Sequence, residues 1–457
     1  MSMLSDFDAK HLQAAGRDLH RFAADLYPIC RSITGGGLRQ TLAMIHERVP
    51  LQLHEVPTGT TVFDWSIPKE WNIRDAYIKV PGGERVVDFQ KSNLHVVNYS
   101  VPVRATMRLS ELRSHLFTLP DHPDWIPYRT SYYQETWGFC LSHRQLLALQ
   151  DRDYEVCIDS TLAPGHLSYG ECYLPGRSTC EVLVSCHACH PSLANDNLSG
   201  LAVGTFMAAL LAGRNLRYSY RFLFVPGTIG AITWLARNQR AAQNIRYGLV
   251  LAGLGDRGAF HYKKSRQGDT LIDRAAAHVL SHSDENAEVL NFSPVGYDER
   301  QYCSPGFNLA VGCLTRSLGE NFAEYHSSAD NLDAITPSHL AGSMRACVAI
   351  LDVLENDRSY RNLNPFCEPQ LGRRNLYSST RGKVVGAEIH ARLWVLNLSD
   401  GMHSLLDIAE QSGLPFAEIS EAADLLCQAG LLEAASEAAD DDSFHARAAA
   451  HATKQRR

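Results

Sequence analysis

The sequence predicts an α/β protein whose core is a mostly parallel sheet with helices on both faces. From residue 155 to about residue 354, short apolar runs alternate with helical patterns, which is the order of elements in βαβ units. The run Cys180–Ser185 is dominated by apolar residues, as expected for a strand buried on both faces of a parallel sheet. Before residue 155 the sequence consists of short aromatic and β-branched runs, and after residue 380 a separate group of short helices is predicted. Both differences indicate additional domains.

The first part of this core is predicted over residues 1–60. Apolar positions at helical spacing predict a helix over residues 7–27, and a second helix is predicted over Leu38–Arg48, after a run of glycines. The alternating run Leu51–Val56 predicts a strand.

Residues 61–154 are predicted to form a β-rich domain inserted into the core. Short runs of aromatic and β-branched residues are separated here by proline and glycine, a pattern typical of strands and turns. The predicted strands are Ala76–Val80, Leu94–Tyr99 and Tyr132–Phe139.

The second part of the core is predicted over residues 155–358. Because ligands of open α/β sheets bind at the carboxyl ends of the strands, the loops that follow its strands are where we expect a site. The predicted strands are Cys180–Ser185, Tyr220–Val225, Tyr247–Leu251 and Asn308–Leu314, and the predicted helices are Leu198–Leu211 and Ile229–Arg237.

A small helical domain is predicted over residues 380–433. It follows a linker at Arg361–Arg381, and the Ala- and Asp-rich tail at 434–457 is predicted to be disordered. Two of its helices have the spacing of a helix-turn-helix. The second of these is acidic and carries no Lys or Arg, so phosphate would repel it. We therefore expect a packing or protein-contact domain that binds no DNA. The acidic residues are Glu418, Glu421 and Asp424.

Composition and charge narrow the function class. The 457 residues carry a formal net charge of -7, which argues against a protein whose main function is to bind nucleic acid. We see no signal peptide and no run as long as a membrane span, so a cytoplasmic protein without membrane contact is expected. In that reducing compartment most of the 12 cysteines should be free thiols.

The densest polar stretch of the chain, Ser185–Gly200, directly follows a predicted buried strand. Two histidines, two cysteines and an aspartate arrive there together and offer the nitrogen, sulfur and oxygen ligands that zinc takes. The alternative interpretation is a polar loop with a His-Pro turn. A second cluster, Glu320–Asn331, places Asp330 four residues after His326. That spacing suits a metal-bound imidazole oriented by a carboxylate, although Asp330 starting an ordinary helix is the alternative.

Together these stretches resemble the zinc aminopeptidases, a family of co-catalytic metallopeptidases. More narrowly, the chain resembles the bacterial aminopeptidase-like domain proteins associated with polysaccharide biosynthesis. That resemblance extends to about Glu433 and implies a zinc-aminopeptidase-like core, a β-rich insert and a C-terminal winged-helix-like domain. It implies His187, Asp196 and His326 as metal ligands, with Asp196 as the bridging carboxylate. The matching segments are Val56–Trp71, Cys186–Gly200, Phe222–Trp234, Gly296–Phe307 and Glu324–Asp333.

The chain departs from this family at three positions. The family's paired glutamates supply a general base and a ligand for a second metal, but the corresponding run here, Pro226–Gly230, contains no acid. The usual metal-binding aspartate of the next strand falls near Ala252, and the nearest acid is Asp256. Ligand counting therefore predicts one firmly bound zinc ion and leaves a second uncertain.

Replacements for the missing acids are sought in the run Gly296–Tyr302. Asp298 or Glu299 is predicted to act as the catalytic base, and Arg300 to hold a substrate carboxylate. A plain surface loop is the alternative interpretation. Tyr302 and Glu324 are predicted to bind substrate. Two further candidates are His190 and Cys189, although a buried cytosolic cysteine is more often simply packed.

Two hypotheses of function follow. The first is a zinc-dependent hydrolase of aminopeptidase or amidohydrolase type that acts on a small aminoacyl or acyl amide, or on a short peptide, in polysaccharide or specialised-metabolite synthesis. The second is a catalytically degenerate relative that works as a binding or assembly protein. A homo-oligomer, or a protein contact through the C-terminal domain, is left open.

Overall fold

The computed structural model describes residues 9–283, 286–317, 322–377 and 387–435. In their described parts, residues 7–268 and 288–344 form one compact unit, and residues 269–287 and 345–457 form a second. Within these ranges no helix combines the length and the apolar content needed to cross a membrane.

The strands of the described residues are numbered in chain order. They are β1 (Gln52–Pro57), β2 (Thr61–Val62), β3 (Trp65–Ser66), β4 (Glu70–Lys79), β5 (Arg85–Asp88), β6 (Val103–Arg108), β7 (Leu116–Phe117), β8 (Phe139–Cys140), β9 (Asp153–Ala163), β10 (His166–Leu174), β11 (Glu181–His187), β12 (Ser219–Val225), β13 (Ile245–Leu251), β14 (His261–Lys263), β15 (Glu288–Leu290), β16 (Val311–Thr315), β17 (Ser359–Asn362), β18 (Asp400–Ser404) and β19 (Leu432–Ala434).

The helices are numbered in the same way. They are α1 (Ala9–Leu26), α2 (Gly36–His46), α3 (Leu109–Leu112), α4 (His143–Ala148), α5 (Gly200–Leu211), α6 (Ile229–Arg237), α7 (Gln239–Ala242), α8 (Leu271–Ser281), α9 (Glu299–Tyr302), α10 (Pro337–Asn356), α11 (Ala387–Leu398), α12 (Leu405–Ser412) and α13 (Phe416–Gln428).

An eight-stranded mixed sheet forms the centre of the larger unit, in the order β1-β10-β12-β11-β13-β16-β14-β15. The four central strands, β12, β11, β13 and β16, run parallel, and antiparallel pairs flank them on both sides. Every residue of β11 and β12 is buried, which is why these strands read as apolar runs in the sequence. The predicted α/β class is confirmed, with parallel pairing at the centre of the sheet.

The insert forms its own antiparallel sheet in the order β5-β4-β9-β6. None of its described strands, β2 to β9, pairs with the eight-stranded sheet. Strand β9 begins at Asp153 and continues to Ala163, so the sequence boundary at residue 155 falls inside a strand. The expected strands at Leu94–Tyr99 and Tyr132–Phe139 do not form: the first contains the end of a 3-10 helix and two isolated bridges, and the second is irregular up to Phe139, where β8 begins. Their aromatic residues serve packing instead, as in the edge-on contact of Tyr99 with Tyr132, whose ring centroids are 5.5 Å apart.

The smaller unit contains α11, α12, α13 and a three-stranded sheet in the order β18-β17-β19. Strand β17 lies before residue 380 and partly within the segment predicted as a linker. Helix α8 also belongs to this unit, although the sequence placed it in the core. The reason is polar docking: Arg274 forms an ion pair with Asp407 at 2.7 Å, and His278 Nε2 accepts the backbone N–H of Phe416. Beyond residue 435 the predicted disordered tail lies outside the described residues.

Candidate metal and active site

The site is built on the loop that connects the end of β11 to α5. His187 is the last residue of β11, and Gly200 is the first of α5. Asn197 ties the loop to the neighbouring strand, since its Nδ2 donates to the backbone oxygen of Leu251 at 2.9 Å. The loop therefore lies at the carboxyl ends of two central strands, where open α/β sheets bind their ligands.

Three histidines converge on the buried carboxylate of Asp196. His187 Nε2 lies 2.8 Å from Oδ1, while His326 Nε2 and His190 Nδ1 lie 3.0 Å and 3.2 Å from Oδ2. The ligand atoms of His187, His190 and Asp196 all lie within 4.8 Å of one another. The structure thus brings together the three predicted ligands and adds His190, which the sequence offered only as a secondary candidate.

The charges of this cluster suit a cation. Burial alone would raise the pKa of Asp196, but the three imidazoles outweigh it and hold that pKa well below its usual range. Burial likewise opposes protonation of His187, yet the Asp196 carboxylate prevails and raises its pKa. Burial lowers the pKa of His190. An ionised carboxylate among imidazole nitrogens is the donor set that zinc takes, so the residues present fit this metal.

Asp330 has a different role from the one its spacing suggests. Its carboxylate accepts the backbone N–H groups of Asn195 at 2.6 Å and Asp196 at 3.0 Å, so it holds the metal loop. Burial raises the pKa of Asp330 to about 8. His326 is oriented by aromatic rings instead. Tyr325 stacks on it at 3.9 Å between centroids, and Tyr128 of the insert packs edge-on at 5.2 Å.

A cavity of about 520 Å³ opens beside this cluster. Three tyrosines share its wall with the histidines: Tyr132 from the insert, Tyr297 from the loop before α9, and Tyr325. Tyr297 stacks on the ring of His187 with 5.2 Å between centroids. The wall exposes more apolar than polar surface, and a residue of the insert forms part of it.

Asp298 is the acid that faces this cavity. Its Oδ1 accepts the backbone N–H of Thr228 at 2.6 Å, and its side chain is almost fully buried. Burial raises the pKa of Asp298 to about 6, although His187 opposes the shift. Thr228 stands where the resemblance places one of the absent glutamates. The carboxylate of Asp298 therefore reaches the turn where the resemblance to zinc aminopeptidases places the missing acids.

Comparison with known proteins decides the family. A model of a domain of unknown function, DUF4910, matches residues 20–357, and a winged helix-turn-helix model matches residues 358–434. The chain belongs to the DUF4910 family. A relative from Clostridium acetobutylicum, provisionally named as a polysaccharide biosynthesis protein with an aminopeptidase-like domain, is 49% identical over 419 residues. That match covers 92% of this chain and 96% of the relative.

Solved structures show which fold the chain shares. A crystal structure from Clostridium acetobutylicum, provisionally described as a peptidase, is 48% identical, with a TM-score of 0.88 over 93% of this chain and 98% of that one. A zinc aminopeptidase from Bacillus subtilis shares 12% identity and a TM-score of 0.54, over 76% of this chain and 94% of that one. At this identity the likeness shows the fold alone, and that fold is the aminopeptidase-like one.

In this DUF4910 chain, two predicted site residues next to Asp298 lie outside the cavity wall. Glu299 is fully buried and forms an ion pair with the ammonium of Lys263. Tyr302 is also fully buried, and its hydroxyl hydrogen-bonds Ser185 Oγ at 2.9 Å. The predicted roles of Glu299 as a base and Tyr302 as a substrate contact do not fit these positions, because α9 turns both side chains into the interior.

The remaining predicted residues lie near the site or apart from it. Arg300 lies against Thr228, with 3.4 Å between its Nη2 and the hydroxyl, and it is not part of the cavity wall. Glu324 lines a different cavity of about 550 Å³, together with Asp256. Cys189 does line the site, but burial raises the pKa of its thiol to about 12 and its sulfur accepts the N–H of Gly227, so it is a packed thiol.

Sequence reasoning missed several residues of the site. Lys263 lines the cavity, yet no local pattern links it to Glu299, 36 positions away. Arg31 is fully buried and donates Nε–H to the backbone oxygen of His190 at 2.9 Å, across 159 positions. Tyr297, in contrast, directly precedes Asp298 in the sequence, so it could have been predicted as a site residue. A buried arginine behind a histidine-rich loop has no signature in a single sequence.

Proposed function

We propose that the protein is a zinc-dependent hydrolase of aminopeptidase or amidohydrolase type that cleaves a small aminoacyl or acyl amide. The observation that carries the proposal is Asp298. It is a buried acid whose pKa of about 6 suits proton transfer near neutral pH, and it faces the same cavity as the histidine cluster. The aminopeptidase-like fold supports the proposal.

The metal would be held by His187, Asp196 and His326, with His190 as the adjacent donor. A bound zinc ion would supply Lewis acidity and make water a better nucleophile at neutral pH. Asp298 then acts as the general base. Thr228 occupies its Oδ1, so its other oxygen takes the proton from water as the new C–O bond forms. The same proton passes to the leaving nitrogen as the C–N bond breaks, so Asp298 ends unchanged.

The shape of the site favours small or chain-end substrates. The cavity of about 520 Å³ has the volume of a small-molecule pocket, and Tyr132 of the insert forms part of its wall. A folded polypeptide does not fit such a space. We also place the enzyme in the cytoplasm, in polysaccharide or specialised-metabolite synthesis. The name of the Clostridium acetobutylicum relative supports the link to polysaccharide synthesis. The absence of disulfides among the 12 described cysteines supports a reducing compartment.

A second candidate function is a non-catalytic binding or assembly protein. The observation that favours it is the absence of acids at Gly227 and Thr228, where the family has its paired glutamates. In that case the C-terminal domain would provide a contact surface for a protein partner or a second copy. The presence of Asp298 beside the cluster puts the enzyme first.

The test is a hydrolysis screen with the zinc-loaded full chain. Aminoacyl and acyl 4-nitroanilides are supplied to the wild type, to chelator-treated protein, and to the variants Asp298→Asn and Glu324→Gln. We expect release of nitroaniline that chelation abolishes, a loss of about 10² to 10⁴-fold in Asp298→Asn, and no loss in Glu324→Gln, whose side chain lines the other cavity. Undiminished turnover in Asp298→Asn would refute the assigned base. A screen without any zinc-dependent hydrolysis would favour the binding function.

A further inference from the structure

The charges of the cavity wall bear on which amide the site accepts. Among its described lining residues there is one carboxylate, Asp298, and one ammonium, Lys263. The other members are the three histidines, tyrosines, and neutral residues such as Thr228 and Thr315. An aminoacyl amide carries an α-ammonium group next to the scissile carbonyl. A site that selects it needs a carboxylate near the metal cluster in addition to the general base.

The nearby acids are already engaged. Asp196 is surrounded by three imidazoles. Glu299 is paired with Lys263 behind the wall, and Asp256 and Glu324 line the other cavity. Asp298 must exchange a proton during the reaction, so it cannot also serve as a permanent counter-ion. Among the described residues that line this cavity, no carboxylate other than Asp298 is available to a substrate ammonium.

The rest of the wall suits an uncharged acyl group. Tyr132, Tyr297 and Tyr325 present ring surface to the cavity, and Val295 lies at its mouth with 74% of its surface exposed. A cation placed here would lose water and would face the zinc ion that the histidine cluster would hold, while the charge of Lys263 is compensated by Glu299. An apolar chain would instead gain contact with rings that already pack against His187 and His326.

We infer that the site selects neutral acyl amides and rejects substrates that carry an α-ammonium group. This inference rests on the proposed function and narrows its substrate class. The chain is then an amidohydrolase of N-acyl compounds on an aminopeptidase-like fold. On this proposal Asp298 supplies the proton transfer, and no lining carboxylate remains to recognise an amine.

The experiment compares three hydroxamates that differ at one position. They are 3-phenylpropionohydroxamic acid and its 2-hydroxy and 2-amino derivatives, titrated calorimetrically into the zinc-loaded full chain. At pH 6.5 the amine is largely protonated, because α-amino groups have pKa values of about 8. We expect the hydrogen and hydroxyl compounds to bind with similar affinity and the ammonium compound at least tenfold more weakly. The hydroxyl compound controls for size and polarity at the same atom.

A repeat at pH 9.5 separates charge from shape. The amine is then neutral, and we expect its affinity to come within about threefold of the hydroxyl compound. An adjacent ammonium lowers the pKa of the hydroxamic acid, so the hydroxamate pKa of each compound is measured and its affinity is corrected for the ionised fraction. Equal or tighter binding of the ammonium compound at pH 6.5 overturns the inference. So do a penalty that persists at pH 9.5 and a failure of all three to bind. Selective binding of the neutral compounds without hydrolysis of the matching acyl 4-nitroanilide leaves the inference standing and removes the proposed hydrolase activity.

Discussion

The acid limb of the pH–rate profile is the prediction that the structure specifies most closely. Burial raises the pKa of Asp298 from its ordinary value to about 6. A general base works only when deprotonated, so activity is retained above this pKa and lost as the pH falls through it. A group with a pKa of about 6 is about 90% ionised at pH 7 and about 10% ionised at pH 5. We therefore expect kcat/KM to fall about tenfold between pH 7 and pH 5.

Unfolding is a separate process from loss of activity. Protonation of Asp298 lowers activity but stabilises the folded state. The pKa of Asp298 is higher in the folded chain than in the unfolded one, so the folded state binds this proton more readily. The contribution of Asp298 to stability therefore grows as the pH falls from about 6 towards 4. An inactive protein at pH 5 that keeps its circular dichroism and its zinc has lost the base and not the fold.

The assay is initial-rate hydrolysis of the best 4-nitroanilide from pH 4.5 to pH 8.5, with zinc content measured at each pH. The matched variant is Asp298→Asn, which keeps an oxygen for the Thr228 N–H but has no base to titrate. Its residual activity should show no inflection near pH 6. A wild-type profile that is flat from pH 5 to pH 7 would refute the assignment. So would the same inflection in Asp298→Asn.

Four further outcomes are expected. Dialysis against a mild chelator should leave one zinc equivalent in the wild type and less in His326→Ala; two tightly held equivalents would contradict the one-ion prediction. Lys263→Met should cost about 3–5 kcal/mol in urea unfolding, because it leaves Glu299 buried and uncompensated, and Lys263→Met with Glu299→Leu should recover most of that loss. Tyr302→Phe should leave KM unchanged and cost about 1 kcal/mol of stability; a severalfold rise in KM would restore it as a substrate contact. Residues 358–434 should not shift duplex DNA in gel electrophoresis, and a salt-sensitive, sub-micromolar complex would overturn that expectation.

The sequence predicted those parts of the molecule that local patterns encode. The buried strands could be predicted because a strand covered on both faces is apolar at nearly every position. Strands β11 and β12 are of this kind. The polar stretch after β11 could be found because the sheet brings strand ends to one edge, and His326 was a candidate from its spacing to Asp330. The family resemblance then selected His187, Asp196 and His326 as the predicted metal ligands.

Other features depend on tertiary contacts that no spacing rule contains. The His-x-x-x-Asp spacing suggested that Asp330 orients His326, but the turn between them points the carboxylate at the backbone of Asn195 and Asp196. Tyr302 belongs to the same polar run as Asp298, yet α9 carries it into the interior against Ser185. The residue types of Asp330 and Tyr302 were compatible both with the predicted role and with the observed one. The direction of the backbone determines which contacts each side chain makes.

On the proposed function, Asp298 replaces the base that the chain lacks relative to the zinc aminopeptidases it resembles. Its carboxylate accepts the N–H of Thr228, at the turn where that resemblance places the two missing glutamates. The acid that reaches this turn therefore comes from the loop before α9, whereas the zinc aminopeptidases that the sequence resembles carry theirs on the turn before α6. The turn itself has little room for a side chain at Gly227, where a Cβ would lie 3.3 Å from the Cys189 sulfur. On our proposal, the base has moved to another loop, while His187 at the end of β11 and Asp196 on the loop after it keep their places as metal ligands.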